Sequence, residues 1–254
     1  MIIKSIHNEL IKQICSLKEK KERDALGLFI VEGKKSISEI KNDWKIKHIF
    51  VSDKIARDFD YDGQIIQASD KIIEKMSCVK TNQGILAVIE KKKFDIFDIL
   101  NKGSLFMVLE NISEPANLGS IIRSADAFNI SAVFVSKMSA DIYSDKTIRA
   151  SMGSIFHIPV IDNIEIDSFF SVLKENNISS FASSLDSQNS LKQLKIVEKS
   201  AFFIGNEGLG LKKETIKQCG GSFKIDMTGK AQSLNAAIAA SIIMYEIQKR
   251  RSKK

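Results

Sequence analysis

The sequence has few of the residues that build disulfide scaffolds, metal centres or extended linkers. Its 254 residues include three cysteines, three histidines and two prolines. Cys15, Cys78 and Cys219 lie far apart and form no CxxC or Cys/His cluster, so the pattern indicates neither a zinc site nor a disulfide scaffold. Two prolines are too few for a long proline-rich linker. We therefore expect a compact protein from a reducing compartment.

Long apolar runs are also missing. The first four residues begin no run of signal-peptide length. The most apolar stretch, Ala236 to Tyr245, spans about ten residues, which is too short to cross a bilayer. We expect a cytoplasmic protein that makes no use of a membrane.

What the chain does have is an excess of basic residues, with a formal net charge of +7. Lysine and arginine can replace the counterions of phosphates, so this charge favours a polyanionic partner. The basic residues between Lys249 and Lys254 are explained equally well by a solvated helix end and by an RNA contact. The charge alone makes nucleic-acid binding a hypothesis.

Short apolar strands alternate with helical stretches along the whole chain. This alternation predicts an α/β fold with a mostly parallel sheet covered on both faces. The lysines at 91–93 interrupt the apolar pattern, and we place the division there, with domains at 1–98 and 99–254. The segments on which later points depend are a helix at 4–20, a helix at 118–128, a strand at 223–225 and a helix at 233–249.

Residues 110–126 form the first candidate functional segment, because they follow the predicted strand 105–109 directly. Pro115 is typical of a helix start, and Asn117 is suited to capping that helix or to orienting a ligand. We expect Arg123 near the helix start, where an anion would reach both its guanidinium and free backbone N–H groups. An ordinary capped helix with one surface arginine explains the same residues.

Residues 201–210 form the second segment, a buried strand that runs into a loop with three glycines. Glycine lets a backbone approach a ligand closely. The spacing is GxxGxG and differs from the dinucleotide-binding fingerprint GxGxxG. Glu207 inside the loop suits hydroxyl or cationic ligands better than pyrophosphate. A glycine loop after a strand is moderately specific, so the ligand stays open at this point.

Residues 225–237 form the third segment. Gly229-Lys230 suggests a phosphate-binding loop, but Lys224 stands where that motif has its first glycine and Ala231 where it has serine or threonine. Ser233 is a suitable N-cap for the apolar helix that follows, and Asn235 would present an amide in the first turn. A satisfied cap with nothing bound is the plainer interpretation.

The three segments in this order resemble the SpoU/TrmH family of RNA 2′-O-methyltransferases. The resemblance rests on Asn-Leu-Gly-x-x-x-Arg at 117–123, Gly-Asn-Glu-Gly at 205–208 and Ser-Leu-Asn at 233–235, with Tyr-Ser-Asp-Lys at 143–146 and Arg-Ala-Ser-Met-Gly at 149–153 between them. It covers roughly residues 104–249. Residues 1–98 are similar to the small RNA substrate-binding α/β sandwich that often precedes this domain, with Phe-Ile-Val-Glu-Gly at 29–33 as the clearest marker.

The resemblance implies a C-terminal domain with a deep trefoil knot that binds S-adenosylmethionine as the methyl donor, without a metal. The implied donor-binding residues are Ser183, Gly205, Asn206, Glu207, Gly208, Ile225, Met227, Ser233, Leu234 and Asn235. The implied catalytic residues are Asn117, Arg123, Glu207, Ser233 and Asn235. The family proposal gives Arg123 the task of taking the hydroxyl proton. A guanidinium is protonated at any ordinary pH, so clamping the target phosphate is the physically easier role.

The resemblance also implies a homodimer formed through the C-terminal domain, with structured RNA as the substrate. The N-terminal domain favours ribosomal RNA over transfer RNA. A non-catalytic RNA-binding or ribosome-assembly factor is an alternative, which loss of Arg123 or Asn235 would have favoured. The failed phosphate-loop spacings argue against a simple nucleotide-binding protein. Two positions depart from the family pattern: Asp226 replaces a usual proline, and Asn129 replaces a common glycine.

Overall fold

The computed structural model describes residues 2–3, 5–55 and 64–251. The elements of the first half are β1 (Ile2–Ile3), α1 (Glu9–Ser16), α2 (Lys20–Leu26), β2 (Leu28–Glu32), α3 (Lys34–Ser38), β3 (Ile46–Ser52), β4 (Ile65–Ala68), α4 (Asp70–Met76), β5 (Ile85–Glu90) and α5 (Ile96–Lys102). Those of the second half are β6 (Leu105–Leu109), α6 (Pro115–Ala127), β7 (Ala132–Ser136), α7 (Asp145–Ser151), β8 (Val160–Ile164), α8 (Ile166–Glu175), β9 (Ser179–Ser183), β10 (Ser200–Ile204), α9 (Lys213–Gln218), β11 (Gly221–Phe223) and α10 (Ala236–Arg251).

Contacts group the chain into two compact units. The first comprises Met1–Lys93 together with Tyr143–His157, and the second comprises Phe94–Ile142 and Ile158–Lys254. The division expected from the sequence, with an RNA substrate-binding domain at 1–98 and a methyltransferase domain at 99–254, assigns a function to each part and stays a prediction. The contacts differ from that division in grouping Tyr143–His157 with the N-terminal residues.

The first unit is a mixed five-stranded sheet in the order β1-β4-β3-β5-β2. Successive side chains of β2 point to opposite faces of the sheet, because a strand has a period of two. Leu28 and Ile30 join the apolar cluster that contains the buried side chains of α1 and α4. Phe29 points the other way and packs against Trp44, Tyr143 and Phe156. Residues 143–157 thus complete the second face of this unit.

The second unit contains a six-stranded sheet in the order β11-β9-β10-β6-β7-β8, and every strand pair in it is parallel. Phe106 and Val108 of β6 belong to a buried cluster with Phe169 of α8. Met107 lies between them and is also fully buried, so both faces of β6 are covered. The prediction of an α/β chain with a mostly parallel sheet is confirmed.

Several boundaries differ from the sequence expectation. Of the stretch expected to be one helix at 4–20, only α1 (Glu9–Ser16) is continuous helix, because the chain leaves the helix at Leu17 and a separate helix, α2, begins at Lys20. The last strand ends at Phe223 rather than at residue 225. In the expected basic tail, Arg250 donates hydrogen bonds to the carbonyls of Leu191 and Leu194 at 2.8 and 2.6 Å. Residues 252–254 of that tail lie outside the described residues.

Candidate active site

The candidate site lies where the strand order of the second unit reverses. From β6 the chain proceeds to β7 and β8 on one side, then returns to fill the other side, so that β10 pairs directly with β6. In parallel α/β sheets, ligands bind beyond the carboxyl ends of the strands at such a switch point. The loop after β6 carries residues 110–114 and leads into α6, and the loop after β10 carries the glycine segment 205–210. The topology therefore brings two of the three candidate segments together.

The glycine loop is closed by its own backbone. Asn206 and Gly210 exchange two backbone hydrogen bonds of 3.1 and 2.9 Å. The side-chain oxygen of Asn206 also accepts from the N–H groups of Gly208 and Leu209. A Cβ atom added to Gly205 would lie 2.1 Å from the backbone of Gly210 and Leu211. Glycine is needed at 205 because the loop returns on itself there, a reason different from the ligand approach expected from the sequence.

A cleft of about 530 Å³ opens beside this loop. Nine of the ten residues expected to bind a donor line it, namely Ser183, Gly205, Asn206, Glu207, Gly208, Ile225, Met227, Ser233 and Leu234. The tenth, Asn235, lies between the lining residues Leu234 and Ala236 and turns toward α6 instead. The sequence reasoning missed other lining residues, among them Leu185, Asp186, Leu209 and Lys224. Leu185 and Asp186 lie two and three residues after Ser183, and this closeness was the signal available for them.

The carboxylate of Glu207 is held at the N-terminus of α6. Its Oε2 atom accepts from the backbone N–H and the hydroxyl of Ser113 at 3.1 and 2.9 Å and from the amide of Asn206 at 3.3 Å. Its Oε1 atom accepts from the N–H of Glu114 at 3.1 Å and from the Asn117 amide at 2.9 Å. A carboxylate in this place satisfies free N–H groups and interacts favourably with the helix dipole.

This arrangement sets the protonation state of Glu207. Partial burial raises the pKa of the carboxyl group. Hydrogen bonds from Asn117 and from the backbone of Ser113, Glu114 and Glu207 itself have the larger, opposite effect and lower the pKa to about 2. Glu207 is therefore ionised at neutral pH and is a weak proton acceptor. Its geometry is that of a positioning residue, since its oxygens hold α6 and Asn117 in place.

Asn235 links the third segment to the first. Its Nδ2 donates to the Oδ1 of Asn117 at 3.0 Å, while its own Oδ1 accepts from the N–H groups of Ala237 and Ile238. The N-cap of α10 is thus Asn235, and the expectation that Ser233 caps this helix is wrong. Ser233 is exposed and lines the cleft. Glu207, Asn117 and Asn235 form one hydrogen-bonded chain between the two helices.

Arg123 stands apart from that chain of hydrogen bonds. Because α6 begins at Pro115, Arg123 is the ninth residue of the helix and lies about 12 Å from its start along the axis. The expectation that it lies near the free N–H groups of the first turn is wrong, since those groups occur only in the first four residues. Arg123 is exposed, and within the described residues its guanidinium makes no hydrogen bond or ion pair.

Glu110 is a further buried group that sequence reasoning passed over. Its backbone N–H donates to the carbonyl of Ile204, and its carboxylate accepts from the N–H of Lys212 and the hydroxyl of Thr215. Glu110 is only 2% exposed. One residue thus holds both ends of the glycine loop. Its place directly after a buried strand was the only signal in the sequence.

The described residues include no cluster of three or more histidine, cysteine or acidic side chains placed to hold a metal ion. In the same residues, no helix is both long and apolar enough to cross a membrane. The site thus consists of a cleft with a closed glycine loop, a helix N-terminus where Glu207 accepts from the free N–H groups, and the exposed guanidinium of Arg123 on the same helix. This arrangement defines an α/β protein with a small-molecule cleft at the switch point of its parallel sheet.

Comparison with known proteins gives the family. Residues 104–245 match the SpoU rRNA methylase family, and residues 8–87 match the MRM3-like substrate binding domain. The chain belongs to the SpoU rRNA methylase family, which confirms the resemblance found in the sequence. It is 29% identical to the 23S rRNA (guanosine(2553)-2′-O)-methyltransferase RlmP of Bacillus subtilis, over 97% of this chain and 98% of that protein.

Solved structures match the whole chain as well. The SpoU methyltransferase AviRb from Streptomyces viridochromogenes in complex with AdoMet is 26% identical, with a TM-score of 0.88 over 97% of this chain and 99% of that one. The AdoMet-bound rRNA methyltransferase from Sinorhizobium meliloti is 27% identical, with a TM-score of 0.87 over 98% of each chain. Both structures contain S-adenosylmethionine.

Proposed function

We propose that this protein transfers a methyl group from S-adenosylmethionine to a ribose 2′-hydroxyl of ribosomal RNA. The observation that carries the proposal is the hydrogen-bonded chain Glu207–Asn117–Asn235, which joins the cleft loop to the helix that bears Arg123. Full-length similarity to a 23S rRNA 2′-O-methyltransferase and to two AdoMet-bound structures supports it. Family membership alone leaves open whether the chain has the residues of an enzyme; the polar residues that the resemblance implies are present in the sequence.

The cleft fits the donor in size and in chemistry. Its volume of about 530 Å³ lies within the range of roughly 300–1,000 Å³ that is usual for small-molecule pockets. Ile225, Met227 and Leu234 offer apolar surface for a base. The backbone of the closed glycine loop offers hydrogen-bonding groups at fixed positions for the ribose and the methionine part. When bound, S-adenosylmethionine supplies an electrophilic methyl group on a positively charged sulfur.

The residues of the chain then act mainly by positioning. Aligning a nucleophile with its target accounts for about 7–11 kcal/mol in favourable cases. Glu207 fixes the amide of Asn117, and Asn117 in turn accepts from Asn235, so the two helices present their polar groups in one arrangement. Glu207 does not take the hydroxyl proton, because its low pKa and its five hydrogen-bond donors keep it ionised and occupied.

Arg123 binds the phosphate next to the target ribose. A guanidinium matches the geometry of phosphate and keeps its charge at any ordinary pH. That charge also stabilises the developing alkoxide, which lowers the pKa of the hydroxyl and lets water accept the proton. The exposed, unpaired state of Arg123 among the described residues fits this role.

Substitution of Arg123 tests the proposed function. Arg123→Ala should remove turnover and leave donor affinity within about twofold of the wild type, because the side chain does not line the cleft. Arg123→Lys keeps the positive charge but cannot donate two parallel hydrogen bonds to one phosphate. Partial activity of this variant would separate the effect of the charge from that of the hydrogen-bond geometry. Methyl transfer to RNA and donor binding by calorimetry are the measurements. Full activity of Arg123→Ala would remove Arg123 from the reaction.

The RNA target is tested by mapping 2′-O-methyl groups in total RNA with and without the gene. We propose residues 1–98 as the RNA-binding domain and residues 99–254 as the methyltransferase domain, and we place the target in 23S rRNA, as in the Bacillus subtilis relative. Loss of one rRNA methyl group on deletion is the expected result. Loss of a tRNA methyl group would show that the substrate is transfer RNA. If no methyl group is lost, a non-catalytic RNA-binding factor is favoured.

We further propose a homodimer that forms through the C-terminal domain and contains a trefoil knot in each chain, as the resemblance implies. Helix α10 offers a surface for the dimer, since Ile238, Ile242 and Tyr245 are 53%, 37% and 52% exposed at helical spacing. We also propose a cytoplasmic location, which action on ribosomal RNA supports.

A further inference from the structure

Two walls of the donor cleft come from separate parts of the chain. One wall contains Ser184, Leu185 and Asp186, which follow β9. The other contains Lys224, Ile225 and Met227, which follow β11. The relative position of these walls decides whether the cleft has a fixed width.

The backbone joins the chain after β9 to the chain after β11. Ser184 of the first wall donates its N–H to the carbonyl of Phe223 at 2.9 Å. Lys224 donates its N–H to the carbonyl of Asn189 at 2.9 Å, and its own carbonyl accepts from the N–H of Leu191 at 2.8 Å. This pairing ends at Lys224, one residue before the first apolar lining residue, Ile225. The segment 225–227 itself is not part of a strand, so another interaction must fix it.

The side chain of Asp226 supplies that interaction. Ile225 and Met227 both line the cleft, whereas the Asp226 carboxylate accepts a hydrogen bond of 2.5 Å from the hydroxyl of Ser190. Lys192 Nζ lies 3.8 Å from the same carboxylate. The Ser190 hydroxyl also accepts from the N–H of Lys192, so its position is fixed by the backbone. The Ser190–Asp226 contact therefore extends the junction of the two walls past the last backbone hydrogen bond.

We propose that Asp226 is a positioning residue for the methyl donor, acting through Ser190 to hold Ile225 and Met227 against the cleft. The family resemblance implies a proline at this position, and a proline ring fixes φ by itself. In this chain a side-chain hydrogen bond provides the restraint instead. The inference rests on the proposed function, because it takes the cleft to be the donor site.

The restraint should affect donor affinity much more than the chemical step. A hydrogen bond to a charged group commonly contributes more than one between neutral groups, but Asp226 is partly exposed, which weakens it. We expect Asp226→Ala to weaken donor binding about five- to tenfold while kcat at saturating donor stays within about twofold. Asp226→Asn keeps an oxygen that accepts from Ser190, so it should restore affinity to within about twofold of the wild type.

Calorimetry with S-adenosylmethionine and the full-length protein tests this directly. Ser190→Ala should reproduce the loss seen in Asp226→Ala, and the double variant should be no weaker than either single one, because both remove the same contact. Asp167→Ala is the matched control: its carboxylate also accepts one side-chain hydrogen bond, from Gln218, and it does not line the cleft. Donor affinity of this control should be that of the wild type.

Several results would overturn the proposal. Wild-type affinity in both Asp226→Ala and Ser190→Ala would show that the contact is not needed. An equal loss in Asp226→Asn and Asp226→Ala would show that the charge matters and the hydrogen bond does not. Failure of the proposed function would look different, because the wild-type protein itself would then bind no S-adenosylmethionine.

Discussion

At the scale of single residues, the main point is that Glu207 serves structure rather than proton transfer. Motif matching places a carboxylate in the glycine loop and suggests a chemical role for it. The structure gives this carboxylate five hydrogen-bond donors and a pKa of about 2. A group that is already ionised and fully engaged holds its neighbours in place. Glu207 therefore belongs with Asn117 and Asn235 to one hydrogen-bonded frame at the N-terminus of α6, the helix that bears Arg123.

Glu207→Gln tests this role through stability and its pH dependence. A carboxamide offers one oxygen where the carboxylate offered two, so donors around one atom lose their acceptor. At pH 7 the variant should unfold with about 1–3 kcal/mol less free energy than the wild type. The pKa of Glu207 is lowered on folding, so its stabilisation is complete above the ordinary value of 4.5 and is lost as pH falls toward 2. The difference in free energy of unfolding between the wild type and Glu207→Gln should therefore decrease as the pH falls from 4.5 toward 2.

Urea unfolding at pH 7 and pH 3 provides the measurement. Glu165→Gln serves as the control, because among the described residues the Glu165 side chain forms only an exposed ion pair with Lys137, and the variant should change stability little at either pH. If the difference in free energy of unfolding between the wild type and Glu207→Gln is the same at pH 7 and pH 3, the lowered pKa of Glu207 is contradicted.

At the scale of elements, the helices α6 and α10 are joined at three levels. Asn235 donates to Asn117 near their N-termini, and the Ser124 and Ser241 hydroxyls lie 2.7 Å apart further along. Beyond these, the Phe128 and Tyr245 rings pack edge to face with centroids 5.9 Å apart. The two helices thus carry their site residues as one unit.

Substitutions of Asn235 separate its capping role from its role in the site. Asn235→Asp keeps the oxygen that caps α10 and loses the N–H group that donates to Asn117. Its stability should stay near the wild type, while methyl transfer falls at least tenfold. Asn235→Ala should lose both functions, with about 1 kcal/mol less stability. Thermal unfolding and RNA methylation measure the two effects.

A matched control exists at α1, where Asn8 caps the helix with the same side chain. Asn8→Asp should leave both stability and methylation unchanged. Wild-type activity in Asn235→Asp would show that the link to Asn117 is dispensable.

The elements also show what the sequence could and could not predict. Apolar runs such as 105–109 and 201–204 predict buried strands correctly, because burial on both faces leaves no polar positions. Ser233 and Asn235 are both good N-caps, and local preference cannot choose between them. The choice depends on Asn117, which is 118 residues away in the chain. The apolar pattern predicts a helix that begins at residue 118, which would put Arg123 near its start. The helix begins at Pro115 instead, so Arg123 lies further along it.

At the scale of the whole molecule, the proposed homodimer rests on the family resemblance, and the exposed face of α10 is the surface proposed for it. Ile242→Lys puts a charge in the middle of that face and should convert a dimer into a monomer of 28.4 kDa by light scattering. Phe97→Lys is the control, because Phe97 is 55% exposed on α5 and outside that face. A wild-type monomer that methylates RNA would contradict the dimer.

The two compact units differ from the two domains that the sequence predicts, because residues 143–157 group with the N-terminal residues. The sequence divides the chain once, near residue 98, because the lysine-rich stretch there is its clearest interruption. It gives no sign that Tyr143 and Phe156 pack with Phe29, since each aromatic residue fits a local motif or a local helix equally well. Contacts between residues more than 100 positions apart are set by packing, and a local pattern does not encode them.

This packing makes residues 1–98 incomplete without residues 143–157. Trp44 donates its indole N–H to the carbonyl of Phe156 at 3.2 Å and is only 6% exposed. It is also the single tryptophan of the chain, so its fluorescence reports on this contact. Phe156→Ala in the full-length protein should expose Trp44, shift its emission to longer wavelength and cost about 3–5 kcal/mol.

Phe106→Ala is the matched control, because Phe106 is a fully buried phenylalanine of the other unit. It should destabilise the protein by a similar amount and leave the emission of the native state unchanged. A fragment of residues 1–98 should show the exposed spectrum, and joining residues 143–157 to it should restore the buried one, since these residues supply the aromatic partners of Trp44 and Phe29. If the fragment alone already has the emission of the full-length protein, residues 1–98 form a self-sufficient domain, and the boundary drawn from the sequence is also the boundary of folding.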